Sequence, residues 1–86
     1  MYSVIWTKFA LDQLAEVYIG LDLDHQDRLA SSIEAINRRL AREPVNEGES
    51  RDADKRITFV DGHAVLFRVI TTSQVVRVVE MLARSR

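Results

Sequence analysis

The sequence has 86 residues, 47% of them hydrophobic and 29% charged, with a formal net charge of −1. That is one domain of chain, and a domain this small buries only about 60–65% of its unfolded surface, so its core is thin. It contains no cysteine, which excludes disulfides and thiolate metal sites and fits a reducing compartment or a partner that adds buried area. The charge is split along the chain. Residues 1–27 carry Lys8 against Asp12, Glu16, Asp22, Asp24 and Asp27, a net −4, while residues 55–86 reach +4. The basic end can attract phosphate or an acidic protein segment. Met1-Tyr2-Ser3-Val4 does not open a secretion signal. No run approaches the ~20 apolar residues of a membrane span. The expectation is a single cytosolic domain over residues 1–86, with no membrane contact.

Tyr2 to Trp6 reads as a short strand. Thr7 is a plausible helix N-cap, because its hydroxyl can accept from the free amides of the next turn. Leu11, Leu14, Tyr18 and Leu21 recur at helical spacing, which predicts a helix from about Lys8 to Ile19 with Gly20 as its stop. Asp22 or Asp24 caps a second helix, whose stripe is Leu29, Ile33, Ile36 and Leu40. Arg38, Arg39 and Arg42 suit the negative end of its dipole, and Pro44 ends it. The short link makes the helices antiparallel neighbours. Val45 to Asp54 is read as a polar loop.

From Lys55 the hydrophobic period changes to two. Strands are expected at Arg56–Val60, Ala64–Ile70 and Val75–Ala83. Asp61-Gly62 is a two-residue hairpin signal and pairs Val60 with His63. A turn centred on Thr72-Ser73 pairs Ile70 with Val75, Arg68 with Arg77 and Leu66 with Val79. The reading is therefore an α+β fold of order β-α-α-β-β-β, with a helical hairpin on one face of an antiparallel sheet. Val65, Phe67, Val69, Val76 and Val78 are expected under the helices. Leu66, Ile70, Val79 and Met81 are expected on the face the helices cannot reach. An apolar second face calls for a partner, or for another copy of the chain.

Arg68 opposite Arg77 is a like-charge pair, which is destabilising unless an anion such as a carboxylate or phosphate sits with it. Arg51, Arg56, His63 and Arg84 complete the set of cations and imidazole on or beside the sheet. Such groups bind anions and can stabilise a phosphoryl transition state, with His63 as the acid or base. No nucleotide or metalloprotease motif is present. His25 and His63 lie in different elements with no ligand spacing around them, so neither a metal nor a cofactor is expected. Asp22, Asp24 and Asp27 lack the glycine and distal glutamate of a calcium loop.

The order of these elements resembles the RelE/ParE toxin family. The local matches are Trp6-Thr7 with Ala10 and Leu14, then Ala35-Ile36, Leu40 and Pro44, then Arg56. The sheet region is the nearest match, in Val60-Asp61-Gly62-His63-Ala64-Val65-Leu66-Phe67-Arg68-Val69 and Val76-Arg77-Val78-Val79. The resemblance implies the toxin of a bacterial type II toxin–antitoxin module, of the kind tied to plasmid stabilisation and held inactive by a cognate antitoxin. Its ParE-like branch acts on DNA gyrase, and its RelE-like branch cuts messenger RNA in the ribosome with basic side chains on the open sheet face. Ala64 stands where the RelE branch carries an arginine, and Arg84 could supply that branch's final-strand arginine. No C-terminal tyrosine follows it in this sequence, and the pI of about 6.1 is low for a ribosome binder. The pattern reads as closer to the ParE side, with Arg68 and Arg77 as anchors for an acidic partner, and with a member that has lost toxicity as an alternative.

Overall fold

The computed structural model describes residues 1–83. Its elements are β1 (Ser3–Trp6), α1 (Lys8–Ile19), α2 (Leu23–Arg42), a 3-10 turn (Pro44–Asn46), β2 (Glu49–Asp52), β3 (Lys55–Val60), β4 (His63–Ile70) and β5 (Val75–Leu82). The five strands form one sheet in the order β1-β5-β4-β3-β2. β1 runs parallel to β5 at one edge, and the other pairings are antiparallel.

Both helices start where the sequence places their caps. The Thr7 hydroxyl accepts from the Ala10 amide at 3.1 Å, and the Asp22 carboxylate accepts from the His25 amide at 2.9 Å. The His25 imidazole also lies 2.7 Å from Asp22 Oδ1. These two contacts, the backbone one first, hold the Asp22 carboxyl below its ordinary value of 3.8. A depressed carboxyl stabilises the fold fully above that ordinary value and loses the contribution as pH falls through the folded value. The α2 cap is therefore expected to loosen only in acid.

The core lies between the helical hairpin and one sheet face. Leu29, Ile36 and Leu40 from α2 meet Val65, Phe67, Val69, Val76 and Val78 from β4 and β5, all of them buried. This is the covered face expected from the alternation of the strands. α1 contributes less, since only Ala10 is fully buried, with Leu14 and Val17 packed at the margin. Leu11 and Tyr18, part of the expected helical stripe, are instead exposed on the outer side.

Two expectations need correction. The first is the segment read as a polar loop. It holds the 3-10 turn and the edge strand β2, which pairs Glu49 with Ile57 and Ser50 with Arg56. Its cause is tertiary. Arg56 donates from Nε to the Glu47 carbonyl at 2.9 Å and from Nη2 to the Gly48 carbonyl at 3.1 Å. The Glu47 carboxylate accepts from Arg39 at 3.0 Å and from Thr58 at 2.8 Å. Gly48 has φ +66°, and a Cβ there would stand 2.0 Å from the Ile57 carbonyl oxygen.

The second correction concerns the register of β5. Ile70 pairs with Val75 and Arg68 with Arg77 as expected, but Leu66 pairs with Glu80 and not with Val79. One extra residue of β5, Val79, is inserted between Val78 and Glu80, which is a β-bulge. From there on the faces exchange. Met81, expected on the open face, pairs with Val65 and is 1% exposed in the core, while Leu82 moves out. The bulge is fastened to the start of α1. Thr7 Oγ1 lies 3.4 Å from the Val79 carbonyl oxygen, and the Met81 amide donates to Gln13 Oε1 at 2.7 Å.

Three substitutions check this packing. In urea denaturation, Phe67→Ala is expected to cost roughly 3–5 kcal/mol, as large core truncations do. Phe59→Ala, on a residue 60% exposed, should cost less than about 1 kcal/mol. Gly48→Ala is expected to cost more than about 1 kcal/mol, because the new Cβ meets backbone at a positive φ. A neutral Gly48→Ala would mean that the β2 segment does not hold this conformation.

Candidate functional site on the open sheet face

Residues paired across strands share a face, so the registers define the surface opposite the helices. Ser3 and Ile5 come from β1, Val75, Arg77, Val79, Glu80 and Leu82 from β5, and Ala64, Leu66, Arg68 and Ile70 from β4. Lys55, Ile57 and Phe59 complete it from β3. Arg77, Arg68 and Lys55 stand in one row across three adjacent strands. Apolar groups flank the row on both sides: Val75 and Ile70 on one, Leu66, Ile57, Phe59 and Leu82 on the other.

The anion called for by the Arg68–Arg77 pair is partly supplied by the chain. Asp54, in the turn between β2 and β3, accepts from Arg68 Nη1 at 2.8 Å. Both side chains are 42% exposed, so the pair contributes no more than about 1 kcal/mol. It lies at the surface and can open to another ligand. Arg77 and Lys55 form no ion pair with any of the described residues. The face therefore offers positive charge set in an apolar surround, the combination that receives an acidic or phosphorylated group on a peptide or polynucleotide.

The other sequence candidates divide as follows. Leu66, Ile70 and Val79 are half-buried on the open face. Met81 is not there, for the reason given above. Arg56 is bound to two backbone carbonyls and serves to hold β2. Arg51 is exposed on the edge strand β2, at the bulge between Ser50 and Asp52, and has no strand partner. His63 shares the helix-side alternation with Val65 and Phe67, at the hairpin end, and its Nδ1 lies 3.3 Å from the Val60 carbonyl oxygen. It does not meet Arg68 or Arg77. Arg84 lies outside the described residues. Among the described residues, no group of three or more His, Cys, Asp or Glu could hold a metal ion, and no helix is long and apolar enough to cross a membrane.

Sequence reading did not single out a groove on the outer side of the helical hairpin. Leu11, Leu14, Ala15, Tyr18 and Ile19 of α1 and Leu29, Ala30 and Ile33 of α2 line about 380 Å³ of it. The signal was available: α1 carries Phe9, Leu11, Leu14, Val17, Tyr18 and Ile19, more apolar residues than one buried face accommodates. Phe9, Leu11, Tyr18 and Ile19 are all exposed.

This fold is that of the RelE/ParE toxins. The chain is similar to the chromosomal ParDE toxin–antitoxin structure from P. aeruginosa, with 16% identity over 99% of this chain and 98% of that one and a TM-score of 0.75. It is similar to the isolated RelE toxin of E. coli, at 17% identity over 100% and 87% of the two chains and a TM-score of 0.72. It is also similar to the RelBE2 toxin–antitoxin complex of Mycobacterium tuberculosis, at 22% identity over 96% and 98% and a TM-score of 0.73. No protein-family model matches the sequence, and no curated protein matches it significantly. The likeness carries the expected α+β class, with the helical hairpin on one sheet face.

The cation row itself is testable through stability. Arg77→Thr removes a like-charge neighbour of Arg68 and should leave stability unchanged or raise it by up to about 1 kcal/mol in chemical denaturation. A loss above about 1 kcal/mol would make Arg77 a structural residue and remove it from the candidate site.

Proposed function

We propose that this chain is the toxin of a type II toxin–antitoxin module, that a cognate antitoxin neutralises it, and that it acts by binding a protein target. The observation that carries this reading is the pair of unpartnered surfaces on a toxin-like fold. One is the open sheet face with its cation row; the other is the apolar groove on the hairpin. Two of the similar structures are described as toxin–antitoxin complexes or systems, and a partner of that kind has apolar area to cover here.

The groove suits an amphipathic helix of the antitoxin. Its apolar floor matches the i, i+3, i+4, i+7 pattern of such a helix. Asp12 beside it on α1, and Asp27 and Glu34 within one turn of Ala30 on α2, are exposed and favour lysine or arginine at the flanks of the docked helix. The open face favours an acidic segment, with one carboxylate between Arg68 and Arg77.

The arrangement favours protein binding over RNA cleavage. Cleavage by a 2′-hydroxyl needs a base, an acid and cations around one phosphate. Arginine is a poor base. The His63 imidazole could act as acid or base, but it stands on the helix side of the sheet while Arg68 and Arg77 stand on the other. The cation row remains the observation in favour of the ribonuclease reading, as an electrostatic seat for a phosphate backbone.

Induced expression separates the readings. Growth arrest with altered DNA supercoiling and intact messenger RNA is the expected result, relieved by co-expression of the antitoxin. Arg68→Ala with Arg77→Ala should weaken partner binding by roughly tenfold or more, and Leu11→Lys with Tyr18→Lys should weaken antitoxin binding similarly. Ribosome-dependent cuts that vanish in His63→Ala or Arg84→Ala would establish the ribonuclease instead. No arrest at all would mark a protein that has lost toxicity, and light scattering shows whether a second copy covers the open face.

A further inference from the structure

The two histidines of the chain, separate in sequence, meet at one cleft. It lies between the first turns of α2 and the β3–β4 hairpin and has a volume of about 280 Å³. His25, Arg28, Asp61 and His63 line it, with Leu21 and Leu29 as the apolar floor. None of these polar groups belongs to the open face or to the outer groove.

Their protonation pattern follows from their partners. His25 Nδ1 faces the Asp22 carboxylate at 2.7 Å and His63 Nδ1 faces the Val60 carbonyl at 3.3 Å. A carbonyl oxygen has no hydrogen to give, and neither does an ionised carboxylate, so in both rings Nδ1 carries the hydrogen. The free nitrogen of each is Nε2, a lone pair when the ring is neutral and a donor when it is protonated. Arg28 forms no ion pair among the described residues. Asp61 accepts from Ser32 Oγ at 3.0 Å through Oδ1, which leaves Oδ2 as an acceptor.

A ligand for this set must present negative oxygens to Arg28, share a proton with Nε2 and give a hydroxyl hydrogen to Asp61. A phosphate monoester presents negative oxygens and, while it keeps one proton, can also donate that hydrogen to an Nε2 lone pair, which sulfate cannot do. An adjacent sugar hydroxyl meets the carboxylate, which a bare anion would only be repelled by. We propose that this cleft binds a sugar phosphate, free or as the end of a nucleotide, with Arg28 and the two Nε2 atoms on the phosphate and Asp61 on a sugar hydroxyl. This inference is independent of the toxin reading and survives its failure.

The charged groups facing the ligand are Arg28, His25 and His63 on one side and Asp22 and Asp61 on the other. The test is an NMR titration of the full chain, following the imidazole Hε1 resonances at fixed ionic strength. Ribose 5-phosphate, adenosine 5′-monophosphate, inorganic phosphate and sulfate serve as probes. Both histidines should shift together and saturably with ribose 5-phosphate, more weakly with phosphate, and not with sulfate. Tighter binding of the nucleotide than of ribose 5-phosphate would identify a nucleotide end, and equal binding a free sugar phosphate. Arg28→Gln should weaken binding by about tenfold or more, while Arg77→Gln on the opposite face leaves it unchanged. Asp61→Asn, which keeps a residue that tolerates the left-handed turn position, should remove the preference for ribose 5-phosphate over phosphate. A response of one histidine alone, sulfate binding as well as ribose 5-phosphate, or an unaffected Arg28→Gln variant would overturn the proposal.

Discussion

Two helices cover one face of a five-stranded sheet and no more. Every surface of interest in this chain follows from that constraint. The strands alternate, but both alternating sets are rich in valine, leucine and isoleucine, so whichever face the hairpin takes leaves the other apolar. The hairpin itself has the same difficulty. α2 spends its apolar stripe on the sheet, whereas α1 has apolar residues around most of its circumference and buries only some of them. A domain of 86 residues gains limited stability from so thin a core. Exposed apolar area on both sides is consistent with a chain whose working state includes another molecule.

The bulge at Val79 decides what the open face contains. Without it, Met81 would lie outside and Leu82 inside, and Glu80 would face the helices. With it, Met81 fills the core beside Val65, and Glu80 joins the open face beyond the cation row. The extra residue leaves backbone groups that the neighbouring strand cannot pair. Thr7 and Gln13 serve them, so α1 is tied to the irregularity by its N-cap and by a side chain from its second turn. Beyond Trp6, where β1 ends, α1 takes over as the cover of this edge, and the edge is not left open to another strand.

Much of the fold was legible because its signals are local. Thr7 and Asp22 act through side chains on the amides of the next turn, and Gly20 and Pro44 through their own backbone. Asp61-Gly62 sets both φ angles positive, at 51° and 85°, and so fixes the register of the first hairpin. The Arg68–Arg77 pairing followed from the second turn alone. The misreadings are all non-local. Val78-Val79-Glu80 continues a strand pattern without interruption, and only side chains from α1 reveal the bulge. β2 contains no apolar residue and no strand pattern; it exists because Arg56, Glu47 and Thr58 bind across the turn. The histidines were treated as separate because sequence spacing says nothing about two elements that fold together end to end. On the open face, the row of cations was legible from register, but the carboxylate that relieves it was not, because Asp54 was assigned to a loop with no fixed position.

The distribution of charge gives the two unpartnered surfaces different tastes. The groove is apolar with exposed acids beside it, and the open face is apolar with a row of cations across it. A single partner that covers both must therefore change character along its length, from a basic amphipathic helix to an acidic extended segment. Neither seat needs to be strong. Asp54 already occupies Arg68, so an incoming carboxylate on the sheet gains only the difference between two exposed ion pairs, and the groove is open to water along its length. Joining the seats raises the effective concentration at the second once the first is filled, so two weak contacts give tight binding without either being optimal. It also makes the order of loss informative. Clipping the connection between the two segments should release this chain far more than weakening either seat alone.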